Sequence, residues 1–528
     1  MYVAGGPGRA QRALVSDYVH SWTRGAYAHM YSLLDRSSRQ RISEAQFVAA
    51  YENAARTATL SSLTALRVGS DNGGVVAVTM LARTAVFGNI RKALLVPLDT
   101  GGSSPAVRFS NTLLFPGLRP GEALSRRVQL PPRADLLARD GTPLAQGPNR
   151  TSPIPDVASQ IVGVLGPIPA AQSTAFDALG YPADAKVGHD GLERIFEHQL
   201  AGRPGGLLLA GTRELARSTP KPGHAVRTTI SPPIERAAVA AIGSNYAGMA
   251  AMQPQTGQLL ALAGVAFSAL QPPGSTMKMI TATGALEAGI VKLGTVFPIQ
   301  TSATISGFNL QNANGEACGG TFLNAFAVSC NSVFAPLGAK LGAKRLVDIA
   351  ERFGFNQPPS IPGAAEPTIP SAASIGDDLA VGSSAIGQGA VQASALEMTD
   401  VGATIAMGGR RPIPTLDAAK PPKFVHVTSR TVAGEVQRMM VAVVEFGTGT
   451  SAQIPGVTVA GKTGTAELTD TAAPGQSSAQ NTDAWFVGYA PVGNPKVVVG
   501  ALFPNQGAGG QTAAPAVRQV IEAGLAAK

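Results

Sequence analysis

The hydrophobic positions change rhythm twice along the chain. Near the N-terminus Ala10, Leu14, Tyr18 and Trp22 fall four residues apart, which predicts one face of a helix. Ser43-Glu-Ala-Gln46 has capping-box spacing just ahead of Phe47, Tyr51 and Ala54, so residues 9–67 read as helical. Strand-like runs follow at Val75–Leu81, after the turn Asn72-Gly73-Gly74, then at Ala93–Leu98 and Thr112–Phe115. Helices followed by a curled sheet predict a compact α+β domain over 1–115. Residues 116–225 are rich in Pro, Gly and Arg and predict short elements only. Among them are a strand turning at Asp140-Gly141 and a helix over Gly191–Leu200 halted at Gly202. Glu197 and His198 lie on that helix with no partner at useful spacing and read as part of a solvated face. From 226 onward the pattern is that of one large α/β unit. A strand is expected at Thr228–Ile230 and a helix from Pro233 to Ile242. The runs Tyr246–Gln253 and Leu259–Val265 form a hairpin around Pro254-Gln-Thr-Gly257. Helices come next, then strands at Val457–Ala460, Ala484–Tyr489 and Lys496–Phe503, and a last helix from Ala514 to Ala526. Strands at both ends with helices between predict one antiparallel sheet closed by the first and last segments.

Composition narrows the class. The 528 residues suit about three units of roughly 100–200 residues. With 45% hydrophobic residues the chain can bury a large core, which excludes wholesale disorder. Two cysteines exclude a disulfide-framework fold, and no Cys/His cluster has metal-ligand spacing, so no metal or cofactor is expected. The net charge of +9 is spread along the chain without a Lys/Arg block, which argues against nucleic acid and fits an anionic envelope. The longest apolar runs, such as Val497–Phe503, fall far short of the ~20 residues of a spanning helix. The first eight residues lack a signal-peptide apolar core. Such a chain is either cytosolic or trimmed behind an anchor.

Three short patterns carry candidate chemistry. Pro272-Pro-Gly-Ser275-Thr-Met-Lys278 sets a serine and a lysine at i and i+3 after a chain break, on one face of any helix that begins there. A lysine amine kept neutral by burial and neighbouring positive charge can take the proton of a serine hydroxyl. Ser329-Cys-Asn331 lies between two helical stretches, where helix capping is the plain reading. Gly461-Lys-Thr-Gly-Thr465-Ala-Glu follows the run Val457–Ala460. Gly456 to Thr463 also satisfies the Gly-x4-Gly-Lys-Thr spacing of a phosphate-binding loop. However, the four spacer residues alternate like a strand, and no long helix opens at Lys462.

Together and in this order, the three patterns resemble the Ser-x-x-Lys, Ser-x-Asn and Lys-Thr-Gly set of the penicillin-binding proteins. The flanks extend the likeness: Ala484-Trp-Phe-Val-Gly-Tyr-Ala-Pro491, Ser384-Ala-Ile-Gly-Gln-Gly389 and Glu445-Phe-Gly-Thr-Gly449. Pro132-Arg-Ala-Asp, Asp140-Gly-Thr-Pro-Leu-Ala145 and Gly191-Leu-Glu193 resemble the pedestal, or dimerisation, domain of class B members. The N-terminal segment resembles the nuclear-transport-factor-like domain of the methicillin-resistance type. The resemblance implies a multidomain α+β chain: 1–115 the N-terminal domain, 116–225 the pedestal, 226–528 the transpeptidase domain. No lysozyme-like glycosyltransferase domain is seen, which points to class B.

By the same resemblance the chain is a peptidoglycan D,D-transpeptidase that cross-links stem peptides ending in D-Ala-D-Ala and is acylated by β-lactams. Ser275 is the implied nucleophile and Lys278 its proton acceptor. Ser329 relays protons to and from the leaving and incoming amines, and Asn331 holds Lys278 and the substrate amide. Lys462 keeps the site electropositive, Thr463 and Thr465 bind the terminal carboxylate, and Gly464 leaves room for the substrate backbone. The backbone N–H groups of Ser275 and Thr465 form the implied oxyanion hole. A D,D-carboxypeptidase, a serine β-lactamase-like hydrolase and a β-lactam-binding sensor are the alternatives on the same fold. The resemblance further implies an ectodomain at the outer face of the bacterial membrane whose anchor is missing, and a glycan polymerase partner of the shape-elongation-division-sporulation family. Two departures from the family pattern stand out. Only Ala266–Pro273 separates the hairpin from the serine, and Cys330 occupies the middle of the second motif with Cys318 nearby. A local Cys318–Cys330 disulfide and two buried thiols are both open.

Overall fold

The computed structural model describes residues 8–467 and 481–527, so the first seven of the eight N-terminal residues considered above lie outside it. The chain groups into two compact units. One comprises residues 8–135, 147–149 and 163–225, and the other 136–146, 150–162 and 226–527. Two pieces of the expected middle segment are thus folded into the C-terminal unit.

In the N-terminal unit the first helix, Arg9–Thr23, buries Val15, Tyr18, Val19 and Trp22. Ala10 is exposed and Leu14 only partly covered, so the buried stripe follows alternating spacings of three and four rather than a constant four. The capping box forms as expected: the Ser43 hydroxyl accepts from Gln46 N–H, and the Gln46 carboxamide accepts from Ser43 N–H. Helix Glu44–Thr57 then ends, and Leu60–Asp71 is a strand, where the sequence reads as helix. It is the outer strand of an antiparallel sheet with Val75–Thr84, Gly88–Asp99 and Ala106–Val107. Only Leu63 of its twelve residues is buried, so it lacks the alternating apolar face that announces a strand. The run at Thr112–Phe115 is not a strand either. A 3-10 turn at Asn111–Leu113 drops Leu113 and Phe115 into the core without a partner strand. Leu208, Ala210 and Leu215, from the hairpin Gly205–Ala210 and Arg213–Ser218, complete that core.

The helix expected over Gly191–Leu200 is broken at Phe196 into Gly191–Ile195 and Glu197–Ala201. Glu197 is not on a solvated face. It is buried and accepts from Arg133 at 2.8 Å and from Gly188 N–H at 2.6 Å. Arg133 also bonds Glu193 at 2.6 Å. An arginine more than sixty residues away in sequence is a partner that helical spacing alone does not reveal. His198 does stay exposed.

The C-terminal unit is built on a five-stranded antiparallel sheet in the order Gln258–Gly264, Gly248–Gln253, Val497–Phe503, Thr482–Ala490, Ala460–Glu467. The strands from the two ends of the unit join in one sheet, with Gly248–Gln253 pairing with Val497–Phe503, as the pattern predicts. Every residue of the two strands 482–490 and 497–503 is buried, which is why they read as continuous apolar runs. Val497, Val499, Ala501 and Phe503 face a core shared with helices Pro232–Ile242 and Ala513–Ala526. Val498 and Gly500 face the opposite way, against helix Ala395–Ala406. No helix among the described residues is long and apolar enough to cross a membrane.

Replacing Arg133 with Met would leave Glu193 and Glu197 buried without their cation. The expected loss is about 3–5 kcal/mol of unfolding free energy, read by denaturant titration of the N-terminal unit's transition in the full chain.

Candidate active site

Ser275 sits in a 3-10 turn, Gly274–Met277, that runs directly into helix Lys278–Glu287. In a 3-10 turn residues i and i+3 eclipse, so the tighter winding aligns Ser275 with Lys278 more closely than an α-turn would. The preceding Pro272-Pro273 cannot continue a helix backwards. The short connector from the hairpin is pinned by paired backbone bonds between Gln271 and Ala393 (3.0 and 2.9 Å). Gly274 N–H donates to Gly387 O at 2.9 Å, and Thr281 Oγ1 donates to Ala385 O at 2.6 Å. The stretch 384–389 is therefore the brace of the serine turn.

Helix Lys278–Glu287 is buried along nearly its whole length, and Lys278 is 0% exposed. Its amine donates to Asn331 Oδ1 (2.7 Å), Ser329 O (2.8 Å) and Ser329 Oγ (3.2 Å). Among the described residues these are its hydrogen bonds; it reaches the second motif rather than Ser275. Ser329 lies in the break between helices Phe322–Ala327 and Asn331–Leu341 with φ +62°. A non-glycine residue rarely adopts this conformation. Here the left-handed turn presents both the carbonyl and the hydroxyl of Ser329 to the lysine. Cys330, buried at the start of the second helix, is bonded to Cys318 across a Cα separation of 5.8 Å.

The third motif lies within a strand, not after one. Ala460–Glu467 carries Lys462, Thr463, Gly464 and Thr465 on the terminal strand of the sheet, while 458–459 have no regular structure. Of the run read as a strand at Val457–Ala460 only Ala460 belongs to one; Val457 closes a turn by bridging to Ile454. The phosphate-loop reading fails for a different reason: Lys462 is in mid-strand, paired opposite Val487, and no helix starts beside it. The Lys462 amine, also 0% exposed, donates to Ser329 Oγ (3.0 Å) and Thr463 O (3.0 Å). One hydroxyl is therefore shared by two lysine amines.

No carboxylate pairs with either amine among the described residues. Phe334 and Phe326 lie below Lys278 and Lys462 at 5.5 and 5.4 Å instead. Burial pushes Lys278 well below the usual lysine range, and the Lys462 charge pushes it further down. Burial alone brings Lys462 to about 7. Two ammonium groups cannot both be retained around one hydroxyl in such a site. The arrangement can hold one neutral amine and one cation near neutral pH.

The strand and the serine turn are in contact. A Cβ on Gly464 would lie 2.8 Å from Pro273 O and 2.9 Å from Trp485 Cβ. Thr465 Oγ1 accepts from Gly509 N–H at 3.3 Å, which leaves its own O–H free to donate. Thr463 Oγ1 is 2.5 Å from Thr448 Oγ1. Thr448 belongs to the stretch 445–449, which the motif flanks mark without indicating this contact. Gly509, and Asn312, whose side-chain oxygen accepts from Ser332 N–H at 2.8 Å beside the second motif, carry no sequence signal that identifies them as neighbours of the site. Of the eight motif residues, Lys278, Ser329, Asn331 and Lys462 are joined by hydrogen bonds, Thr463, Gly464 and Thr465 continue the strand of Lys462, and Ser275 lies in the turn packed against that strand; Glu197 and His198 lie in the other unit.

A serine turn, a buried lysine, a Ser-x-Asn break and a Lys-Thr-Gly strand on this sheet define an active-site-serine acyltransferase of the penicillin-recognising class. The chain belongs to the penicillin-binding protein transpeptidase family. It matches the penicillin binding protein transpeptidase domain over residues 247–522 and the penicillin-binding protein dimerisation domain over 140–228. It is similar to the peptidoglycan D,D-transpeptidase PbpA of Mycolicibacterium smegmatis, 31% identical over 417 residues that cover 67% of this chain and 82% of that one. Among solved structures it is similar to the D,D-transpeptidase domain of a peptidoglycan glycosyltransferase from Eggerthella lenta (TM-score 0.61, 28% identity, 75% of this chain and 98% of that). It is also similar to penicillin-binding protein A of Mycobacterium tuberculosis in its ceftriaxone acyl-enzyme complex (TM-score 0.58, 25% identity, 75% and 98%).

Gly464→Ala is expected to force the strand away from the serine turn. Displacement on the order of 1 Å costs about 100-fold in rate, so covalent labelling by a fluorescent penicillin should slow by that order while the thermal transition persists.

Proposed function

We propose that this protein is a class B D,D-transpeptidase that cross-links peptidoglycan stem peptides through an acyl-enzyme on Ser275. The observation that carries the proposal is the pair of buried lysine amines meeting at Ser329 Oγ (3.2 and 3.0 Å) with no counter-carboxylate among the described residues. A neutral Lys278 can accept the Ser275 proton as Oγ attacks the penultimate D-alanine carbonyl. The oxyanion is held by the N–H groups of Ser275 and Thr465. Ser329, between the two amines, passes the proton to the departing D-alanine amine, and the C–N bond breaks. An amine of a neighbouring stem then attacks the ester, returns its proton through the same hydroxyl and frees Ser275. Lys462 as the cation attracts the terminal carboxylate, and the free O–H of Thr465, with Thr463, donates to it. The extended substrate adds to the terminal strand, with Gly464 leaving space for its backbone. A β-lactam enters the same path because its strained amide presents the same carbonyl.

The division into an N-terminal domain over 1–115, a pedestal over 116–225 and a transpeptidase domain over 226–528 is part of this reading. So is the nuclear-transport-factor-like character of the first. Its support is the order of four helices before three long antiparallel strands. Action outside the cytoplasm, attachment at the outer face of the membrane and cooperation with a membrane-embedded glycan polymerase are proposed with it, on the class B character of the pedestal and transpeptidase segments.

Intact-mass analysis after β-lactam treatment tests the nucleophile: Ser275→Ala should lose the covalent adduct entirely. A stem-peptide substrate with an added D-amino acid acceptor should give an amine-dependent product. Hydrolysis alone would favour a carboxypeptidase, and an adduct lost within seconds a β-lactamase.

The pH profile has a defined sign. Lys278 acts as neutral amine, so acylation rises with pH on the acid side through its lowered ionisation. Lys462 acts as cation, so the rate falls on the alkaline side as it deprotonates from about 7. In Lys462→Arg the guanidinium stays charged throughout the accessible pH range, and the alkaline limb should vanish from a stopped-flow acylation profile.

A further inference from the structure

Both ends of the Asn331 amide are occupied. Oδ1 accepts from Lys278 Nζ at 2.7 Å, and Nδ2 donates to the main-chain carbonyl of Gln311 at 3.3 Å. The residue after Gln311, Asn312, is 6% exposed and bonded at every side-chain polar atom. Its Oδ1 accepts from Ser332 N–H at 2.8 Å, and its Nδ2 donates to Gln300 O (2.8 Å) and Glu316 O (2.9 Å). Its own N–H donates to Thr301 O at 2.8 Å. Residues 311–312 thus clasp residues 331–332 by two bonds, and Asn312 roots the clasp in the paired short strands between 296 and 321. The Cys318–Cys330 bond joins the same excursion to the residue between Ser329 and Asn331.

The clasp has a chemical consequence. A neutral lysine amine has two N–H groups and one lone pair. The two closest acceptors of Lys278 are the carbonyl oxygens of Asn331 and Ser329, at 2.7 and 2.8 Å. When these take the two N–H groups, the lone pair is left for a hydroxyl. With the Asn331 amide turned over, its NH2 would face the amine and consume that lone pair. The Gln311 carbonyl accepts only a donor, so it holds the amide in the first orientation.

We propose that Asn312 is a positioning residue for acylation: by fixing Gln311 and Ser332 it sets the Asn331 amide, and through it the direction of the Lys278 lone pair. This rests on the assignment of Ser275 and Lys278 made above. The test is acylation of the full chain by a fluorescent penicillin, followed by stopped flow in Asn312→Ala, Asn331→Ala and the double variant. Asn312→Ala should lower the acylation rate constant on the order of 10–100-fold with the dissociation constant of the initial complex unchanged. The double variant should be no slower than the slower single one, because both changes break one chain of contacts. Acylation at the wild-type rate, a loss confined to the dissociation constant, or losses that multiply in the double variant would each overturn the proposal. Should Asn312→Ala fail to fold, Asn312→Asp serves. It keeps the acceptor for Ser332 N–H, sets a carboxylate against the Gln300 and Glu316 carbonyls, and should show the same coupled loss. Persistent labelling of Ser275→Ala would instead sink the nucleophile assignment, which separates the two failures.

Discussion

Two lysine side chains buried around one serine hydroxyl are the constraint on which the site depends. Each desolvated amine is costly as an ammonium, and the two together more so. Among the described residues the fold meets this cost with carbonyl acceptors and aromatic faces rather than with acids. A carboxylate would have been a better partner for a charge, but it would have held both amines protonated. The Ser329 and Thr463 carbonyls, Asn331 Oδ1 and the rings of Phe334 and Phe326 stabilise a cation only moderately. The site can therefore keep one amine neutral and the other charged.

That balance requires three distant stretches of chain to hold a common geometry. The serine turn rests on the backbone of 384–389, the second motif hangs from the excursion 296–321, and the third is a strand of the sheet. The sheet is the rigid member. Its central strands are covered on both faces, and the terminal strand is fixed by eight register pairs to its neighbour. Elements less regular than the strand are tied by side chains instead: Asn312, the disulfide and the Thr448–Thr463 contact.

How much of this was legible depended on the range of the interaction. Local patterns are legible: the Ser43 capping box, the 248–264 hairpin, the last two strands and the order of the three motifs. The strand 60–71 was missed because its burial comes from one residue, and Glu197 was misread because its partner Arg133 is remote in sequence. The turn before Lys462 imitated a strand by alternating Val and Thr, which only the backbone could contradict. Asn312 and Gly509 were invisible for the same reason as Arg133. What makes them matter is proximity created by the fold, and neither carries a composition or spacing that announces it.

The terminal strand 460–467 is unusual in being almost wholly buried while one of its long sides ends the sheet. An outer strand of a sheet ordinarily invites another sheet to dock and aggregate. Here the serine turn Gly274–Met277 and helix Arg430–Glu445 both pack against the strand. A broad sheet approaching that edge would have to clear these elements, whereas the single extended peptide proposed as substrate is narrow enough to pass them. Packing that suits one strand of substrate thereby disfavours copies of the protein zipping onto each other.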